Sequence, residues 1–170
     1  SPAQAMYHLM SGYTAKVAGT ERGVTEPEAT FSACFGAPFM PLHPAVYAGL
    51  LGERLQRHGT TSWLVNTGWT GGPYGVGHRI SIAYSRAVVR AILSGALDTV
   101  ACDLDPVFGL QVPRSCPGVP AEVLNPAASW PDPVGHRIAA ERLGRRFAAN
   151  FEQFAARAPA GVADAGPRAD

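Results

Sequence analysis

Gly68, Gly71, Gly72, Gly75 and Gly77 crowd into one short stretch that leads directly into His78 and Arg79, with Ser85 just beyond. These are the residues of the chain whose types and spacing could do chemistry. Glycine-rich turns let backbone N–H groups point at an anion, and a following helix N-terminus adds more donors and a favourable dipole. Arg79 brings a permanent cation with a planar fork of donors, suited to polyphosphate or purine contacts. Ser85 brings a hydroxyl to the first turn of the helix. The stretch is not a standard phosphate loop. Gly72-Pro73-Tyr74-Gly75-Val76-Gly77-His78-Arg79 has the glycine spacing of a Walker A motif but no lysine, and no hydroxyl follows. A dinucleotide fingerprint would put a third glycine where Ile80 stands. On spacing alone two readings stand: a nucleotide-contacting loop, or a flexible surface connection rich in glycine.

The elements that must position this loop are read from periodicity. Trp63-Leu64-Val65 is a short apolar run between turn formers and predicts a buried strand. His78 to Ile82 alternates polar and apolar, and a helix is expected from Ala83 to Ser94, with Tyr84, Val88, Ala91 and Ile92 on one face and Gly95 as its stop. Upstream, Pro44 opens a helix whose Tyr47, Leu50, Leu51 and Leu55 form a core stripe, ending in Arg57, His58 and Gly59. Helix, strand, loop, helix implies an α/β layer with the loop at a strand's carboxyl end, where open α/β sheets bind ligands.

At the start, Ser1 caps a helix, with Pro2 at its first position and Gln4 reaching back, and the helix ends at Gly12. Tyr13 to Val17 reads as a strand. Thr20 to Met40 is long and irregular; its Glu21 and Glu26 are better read as solvated carboxylates than as acid/base groups. Leu97 to Trp130 is proline-rich, with a strand expected at Phe108 to Val112. Pro133 starts a long helix with Ala140, Leu143, Phe147, Phe151 and Phe154 on its inner face and a solvated face of Arg137, Arg142, Arg145 and Arg146. The organisation expected is one domain over 1–157 and a disordered tail over 158–170.

Composition excludes several classes. The 170 residues are 46% hydrophobic and 16% charged with a net charge of +1, which suits a globular enzyme and gives no support to nucleic-acid binding. No apolar run is long enough for a membrane helix, and Ser1-Pro2-Ala3-Gln4 lacks the features of a signal peptide. Cys34, Cys102 and Cys116 form no CxxC pair and read as reduced thiols, which points to the cytoplasm. The histidines form no HxxxH or HExxH arrangement, so no metal site is expected from this chain. The chain opens without an initiating methionine, so it is expected to begin inside a larger sequence or to have been processed or truncated.

Residue identity decides between the two readings of the loop. Asn66-Thr67-Gly68-Trp69, the glycine loop and Arg79-Ile80-Ser81-Ile82 resemble the ATP-dependent phosphoenolpyruvate carboxykinases. Tyr7-His8, Ser11 to Glu21, Thr25-Glu26-Pro27, Phe31 to Gly36 and Leu42-His43-Pro44 are similar to that family in the same order. The resemblance implies an α/β fold, a mixed sheet with flanking helices, forming the C-terminal part of the family's mononucleotide-binding domain. It implies the reaction of oxaloacetate and ATP to phosphoenolpyruvate, ADP and carbon dioxide, as in gluconeogenesis, with Mn2+ or Mg2+. It places nucleotide contacts on Arg79, Ile80 and Ser85, and puts the metal ligands and reacting centre in a missing N-terminal part of the same enzyme. His78 stands where the family often has lysine, and Ser85 where threonine is commoner. The 170 residues alone are expected to be catalytically inert; the alternative is a stand-alone, non-catalytic nucleotide-binding or interaction module.

Overall fold

Ser1 begins the fold by capping a helix. In the computed structural model, which describes residues 1–16, 28–73 and 75–168, helix α1 spans Pro2–Ser11. The Gln4 N–H donates to the Ser1 hydroxyl at 3.3 Å, and the Ser1 amino group donates to the Gln4 side chain at 2.7 Å. This reciprocal cap satisfies helix donors that have no partner within the helix. Gly12, at φ 58°, stops the helix and returns its N–H to the His8 carbonyl. The expectation for this helix is met at both ends.

Strands β1 (Tyr13–Lys16) and β2 (Glu28–Phe31) pair antiparallel, with Tyr13 opposite Phe31. Glu21 and Glu26 lie outside the described residues. The Phe31-to-Gly36 run becomes a 3₁₀ turn over Ala33–Phe35. Helix α2 covers Pro44–His58, its first turn capped by the His43 ring, which accepts from the Ala45 N–H at 3.2 Å, and its end set by Gly59 at φ 59°. Its buried residues are Ala48 and Leu55, and Gly52 lies against Met6 of α1. Leu50, expected in the core stripe, is exposed. The small residues Ala48 and Gly52 take the inner face because α1 approaches closely there.

Strands β3 (Trp69–Thr70) and β4 (His78–Arg79) form a short hairpin, followed by α3 (Ile82–Leu93). Strands β5 (Cys102–Leu104) and β6 (Gln111–Pro113) pair antiparallel. One-turn helices α4 (Ala121–Leu124) and α5 (Pro126–Ser129) precede α6 (Pro133–Ala155). The α/β make-up is as expected; the described strands pair as three separate two-stranded antiparallel ribbons. Trp63-Leu64-Val65 is not a strand. A strand needs a second backbone to take its N–H and C=O groups, and no described residue pairs with this run. Leu64 and Val65 are exposed, while Trp63 packs inward.

The chain divides into two units, Ser1–Ser62 with Leu143–Pro167, and Trp63–Arg142 with the chain's last residues from Arg168. The first is built on aromatic rings. Tyr7 stacks on Phe151 with centroids 4.3 Å apart, and Phe147 touches Tyr7, His8, Tyr13 and Phe31. Burial pushes the Tyr7 hydroxyl up to about 12 and the His8 imidazole down to about 4. The segment from Ala158, expected as a disordered tail, is folded as far as Arg168: Val162 is completely buried and Gly166 lies against the Tyr7 ring. One apolar anchor and a run of turn hydrogen bonds hold a segment whose composition is otherwise that of a loop. The second unit packs Trp63, Val88, Ile92, Val100, Val119 and Leu124 around Ala91, Leu97 and Cys116.

Candidate functional site

Short-range hydrogen bonds, from one asparagine side chain and from the backbone, hold the described part of the glycine-rich loop. Asn66 starts it: its side-chain oxygen accepts from the Gly68 N–H at 2.9 Å, and its amide donates to the Trp69 carbonyl at 3.0 Å. This local turn is the physical content of Asn-Thr-Gly-Trp. The Ile80 N–H donates to the Gly68 carbonyl at 2.9 Å, closing the base of the hairpin. At the tip, the Val76 and Gly77 N–H groups both return to the Pro73 carbonyl. Two glycines are dictated by geometry. Gly72 sits at φ 146°, a backbone that other residues rarely adopt. A Cβ on Gly77 would lie 2.5 Å from the Thr70 carbonyl oxygen and 2.6 Å from that of Gly72. Behind the loop, the Thr70 and Ser129 hydroxyls meet at 3.3 Å, and the His78 ring covers Gly71.

The hairpin delivers the chain into α3. Ser81 caps that helix by accepting from the Tyr84 N–H at 3.1 Å, which starts it at Ile82, one residue before the expected Ala83. Sequence reading assigned no role to Asn66 or Ser81; the signals that could have found them are the Asn-x-Gly turn and a serine just before an apolar helical run.

Arg79, Ile80 and Ser85 gather at this joint. Arg79 is the last residue of β4, opposite Trp69, and its side chain is exposed with no ion pair to a described residue. Ile80 is half-buried beside it. Ser85, one turn into α3, is partly buried, and its hydroxyl donates to the Ser81 carbonyl at 3.2 Å. Chemically the joint offers a free guanidinium, an apolar side chain, a hydroxyl and the N-terminal donors of a twelve-residue helix. That set suits an anion attached to a flat apolar group. His78 and Arg79 are adjacent in a strand and leave it on opposite sides, so His78 serves the back of the loop.

The same residues do not fit a metal: no three of the described His, Cys, Asp and Glu side chains come together in a way that could hold one. Cys34 and Cys116 are buried free thiols, pushed up by burial. Of the basic helix face, Arg137 reaches Glu141 at 3.7 Å and Arg146 lies 5.8 Å from the Phe31 ring centroid. No helix among the described residues is long and apolar enough to cross a membrane.

These observations define an α/β polypeptide whose glycine-built hairpin feeds exposed polar groups into a helix N-terminus. The sequence profile of phosphoenolpyruvate carboxykinase matches residues 1–122, and the chain belongs to that family. It is 60% identical over 164 residues to phosphoenolpyruvate carboxykinase (ATP) of Geobacter metallireducens, an overlap covering 96% of this chain and 31% of that one. It is 56% identical over its whole length to the Thermus thermophilus enzyme of the same name, covering 32% of it. The Salinibacter ruber enzyme is 59% identical over 98% of this chain and 31% of its own length. The chain thus spans about a third of the length of these curated relatives.

Proposed function

We propose that the chain is the C-terminal part of the nucleotide-binding domain of an ATP-dependent phosphoenolpyruvate carboxykinase, acting in the cytoplasm. The whole enzyme would convert oxaloacetate and ATP to phosphoenolpyruvate, ADP and carbon dioxide. The observation that carries this reading is the exposed Arg79 guanidinium, held by the β3–β4 hairpin at the entrance to α3 in a chain of this family.

Arg79 binds and orients the nucleotide through charge-assisted hydrogen bonds. Ile80 gives the base an apolar face. Ser85 turns its hydroxyl from the Ser81 carbonyl to a phosphate oxygen, beside the helix donors. Mn2+ or Mg2+ would supply the charge that phosphoryl transfer requires. Their ligands belong to the rest of the polypeptide, as does the oxaloacetate site. The 170 residues alone bind ATP weakly and turn nothing over.

Purified 1–170 is assayed for oxaloacetate- and metal-dependent ADP formation and titrated with ATP by calorimetry. Weak ATP binding without turnover is expected. Turnover above a buffer control overturns the assignment of the reacting centre to the missing part, and ATP binding unaffected by Arg79→Ala removes the nucleotide role. A gene in which a start codon directly precedes Ser1 would favour a stand-alone nucleotide-binding module instead.

A further inference from the structure

In the first unit, five large apolar side chains are exposed to water within residues 35–50. Phe39 is 85% exposed, and Phe35, Leu42, Val46 and Leu50 are between 44% and 55% exposed. Val46 and Leu50 are one turn apart on the side of α2 opposite its buried Ala48 and Leu55. The Leu42 N–H donates to the Tyr47 hydroxyl at 3.2 Å, which ties the segment carrying Phe39 and Leu42 to the first turn of the helix. Phe35 sits at φ 60°, directly after Cys34 at φ 55°. Two consecutive left-handed residues, one of them bulky, are a costly backbone that persists only where its surroundings enforce it. Here that backbone turns the Cys34 side chain inward and leaves the Phe35 ring outside. No Asp, Glu, Lys or Arg occurs between residues 29 and 52. A surface permanently in water is normally interspersed with charge, and contiguous apolar patches mark contact sites.

We propose that this face, centred on Phe39 and Leu50, is where the remaining polypeptide of a full-length carboxykinase packs against this chain. The curated relatives are about three times as long as the segment they share with it, so the occupant is at hand in the same polypeptide. The uncharged, aromatic-rich surface matches the core of a permanent interface rather than a transient one. The identity of the occupant rests on the function proposed above; the existence of the interface does not.

The test places residues 1–170 in the Geobacter metallireducens relative in exchange for its matching segment, and compares this whole enzyme with the isolated chain. Amide hydrogen exchange across residues 35–50 is expected to slow by about tenfold or more in the whole enzyme, and Phe39→Asp with Leu50→Asp should abolish that protection. The same pair of substitutions should leave exchange in the isolated chain unchanged, since both side chains are exposed there. Equal exchange in the two contexts overturns the proposal. So does a concentration-dependent dimer of the isolated chain that the double substitution abolishes, which would assign the face to a second copy. Carboxykinase turnover of the unsubstituted whole enzyme is read separately: protection without turnover sinks the proposed function and leaves the interface standing.

Discussion

The aromatic core of the first unit and the glycine hairpin of the second are held by opposite means. In the first, Tyr7, Phe147, Phe151 and Phe154 are buried against one another and against Tyr13 and Phe31, and even a loop is pinned by Val162. In the second, the closures seen among the described residues of the β3–β4 hairpin are local: Asn66, the Gly68 carbonyl and the close approach of Gly77 to Thr70. The difference is instructive. A hairpin closed locally leaves Arg79 and Ser85 available to a ligand, whereas an aromatic core consumes its side chains in packing.

The comparison breaks first if the rings are not what holds the first unit. Phe151→Ala removes a ring stacked 4.3 Å from Tyr7 and should cost on the order of 3–5 kcal/mol of stability. Urea unfolding followed by tyrosine fluorescence measures it, and a loss below about 1 kcal/mol would show that the core closes without this ring.

His8 sharpens the same contrast through pH. Its imidazole is buried and pushed down to about 4, so the unfolded chain binds a proton that the folded chain does not between that value and the ordinary histidine range. Stability therefore rises with pH in this window: the contribution is complete above about pH 6.5 and is lost as pH falls towards 4, up to about 3 kcal/mol. Unfolding free energies at pH 7 and pH 4.5 should differ accordingly, and His8→Gln should flatten that difference. A profile equally steep in the variant would assign the acid sensitivity to other groups.

In the hairpin the expected effects move from stability to binding. Arg79→Ala in a full-length enzyme carrying this chain should remove hydrogen bonds to a charged ligand worth about 1.5–3 kcal/mol, weakening ATP binding or lowering turnover by about tenfold or more. Unchanged ATP kinetics would take Arg79 out of the site. Gly77→Ala forces a Cβ against two backbone carbonyls, which cannot swing aside as a side chain would. Its cost, about 1–3 kcal/mol, should appear as faster amide exchange at Ile80 and weaker ATP binding, with α1 unaffected. Exchange at Ile80 equal to that of the unsubstituted chain would mean the loop tolerates the methyl and is looser than its contacts imply.

How far these regions were legible in sequence follows from the same contrast. Helix α1 announces itself through its caps, and α3 and α6 through a 3.6-residue stripe; Phe147, Phe151 and Phe154 are buried as their spacing predicts. The stripe failed for Leu50 because periodicity reports an apolar face, not which of two faces is covered. The strand expected at Trp63 failed for a related reason: pairing is a property of two segments, and an apolar triplet carries no record of its partner. Composition predicts a disordered tail from Ala158, but composition is an average, and one buried valine is enough to anchor a short loop. At the hairpin, Arg79, Ile80 and Ser85 were singled out by resemblance to the family, whereas Asn66 and Ser81, which set the geometry, were passed over.

Ser85 gives the smallest effect and the finest test. Its hydroxyl donates to the Ser81 carbonyl, one turn back in its own helix, and must leave that acceptor to donate to a phosphate oxygen. Exchanging one neutral hydrogen bond for another yields little net energy, and a neutral hydroxyl contributes only about 0.5–1.5 kcal/mol. Ser85→Ala should therefore raise the KM for ATP about two- to tenfold while leaving α3 intact, because alanine is a better helix former than serine. Ser85→Thr should restore binding, since it keeps the hydroxyl and adds only a methyl. The informative outcome is the pair: loss in alanine and rescue in threonine place the hydroxyl on the ligand. An alanine variant with unchanged KM would confine Ser85 to its bond with Ser81, and leave Arg79 and the helix donors to hold the nucleotide.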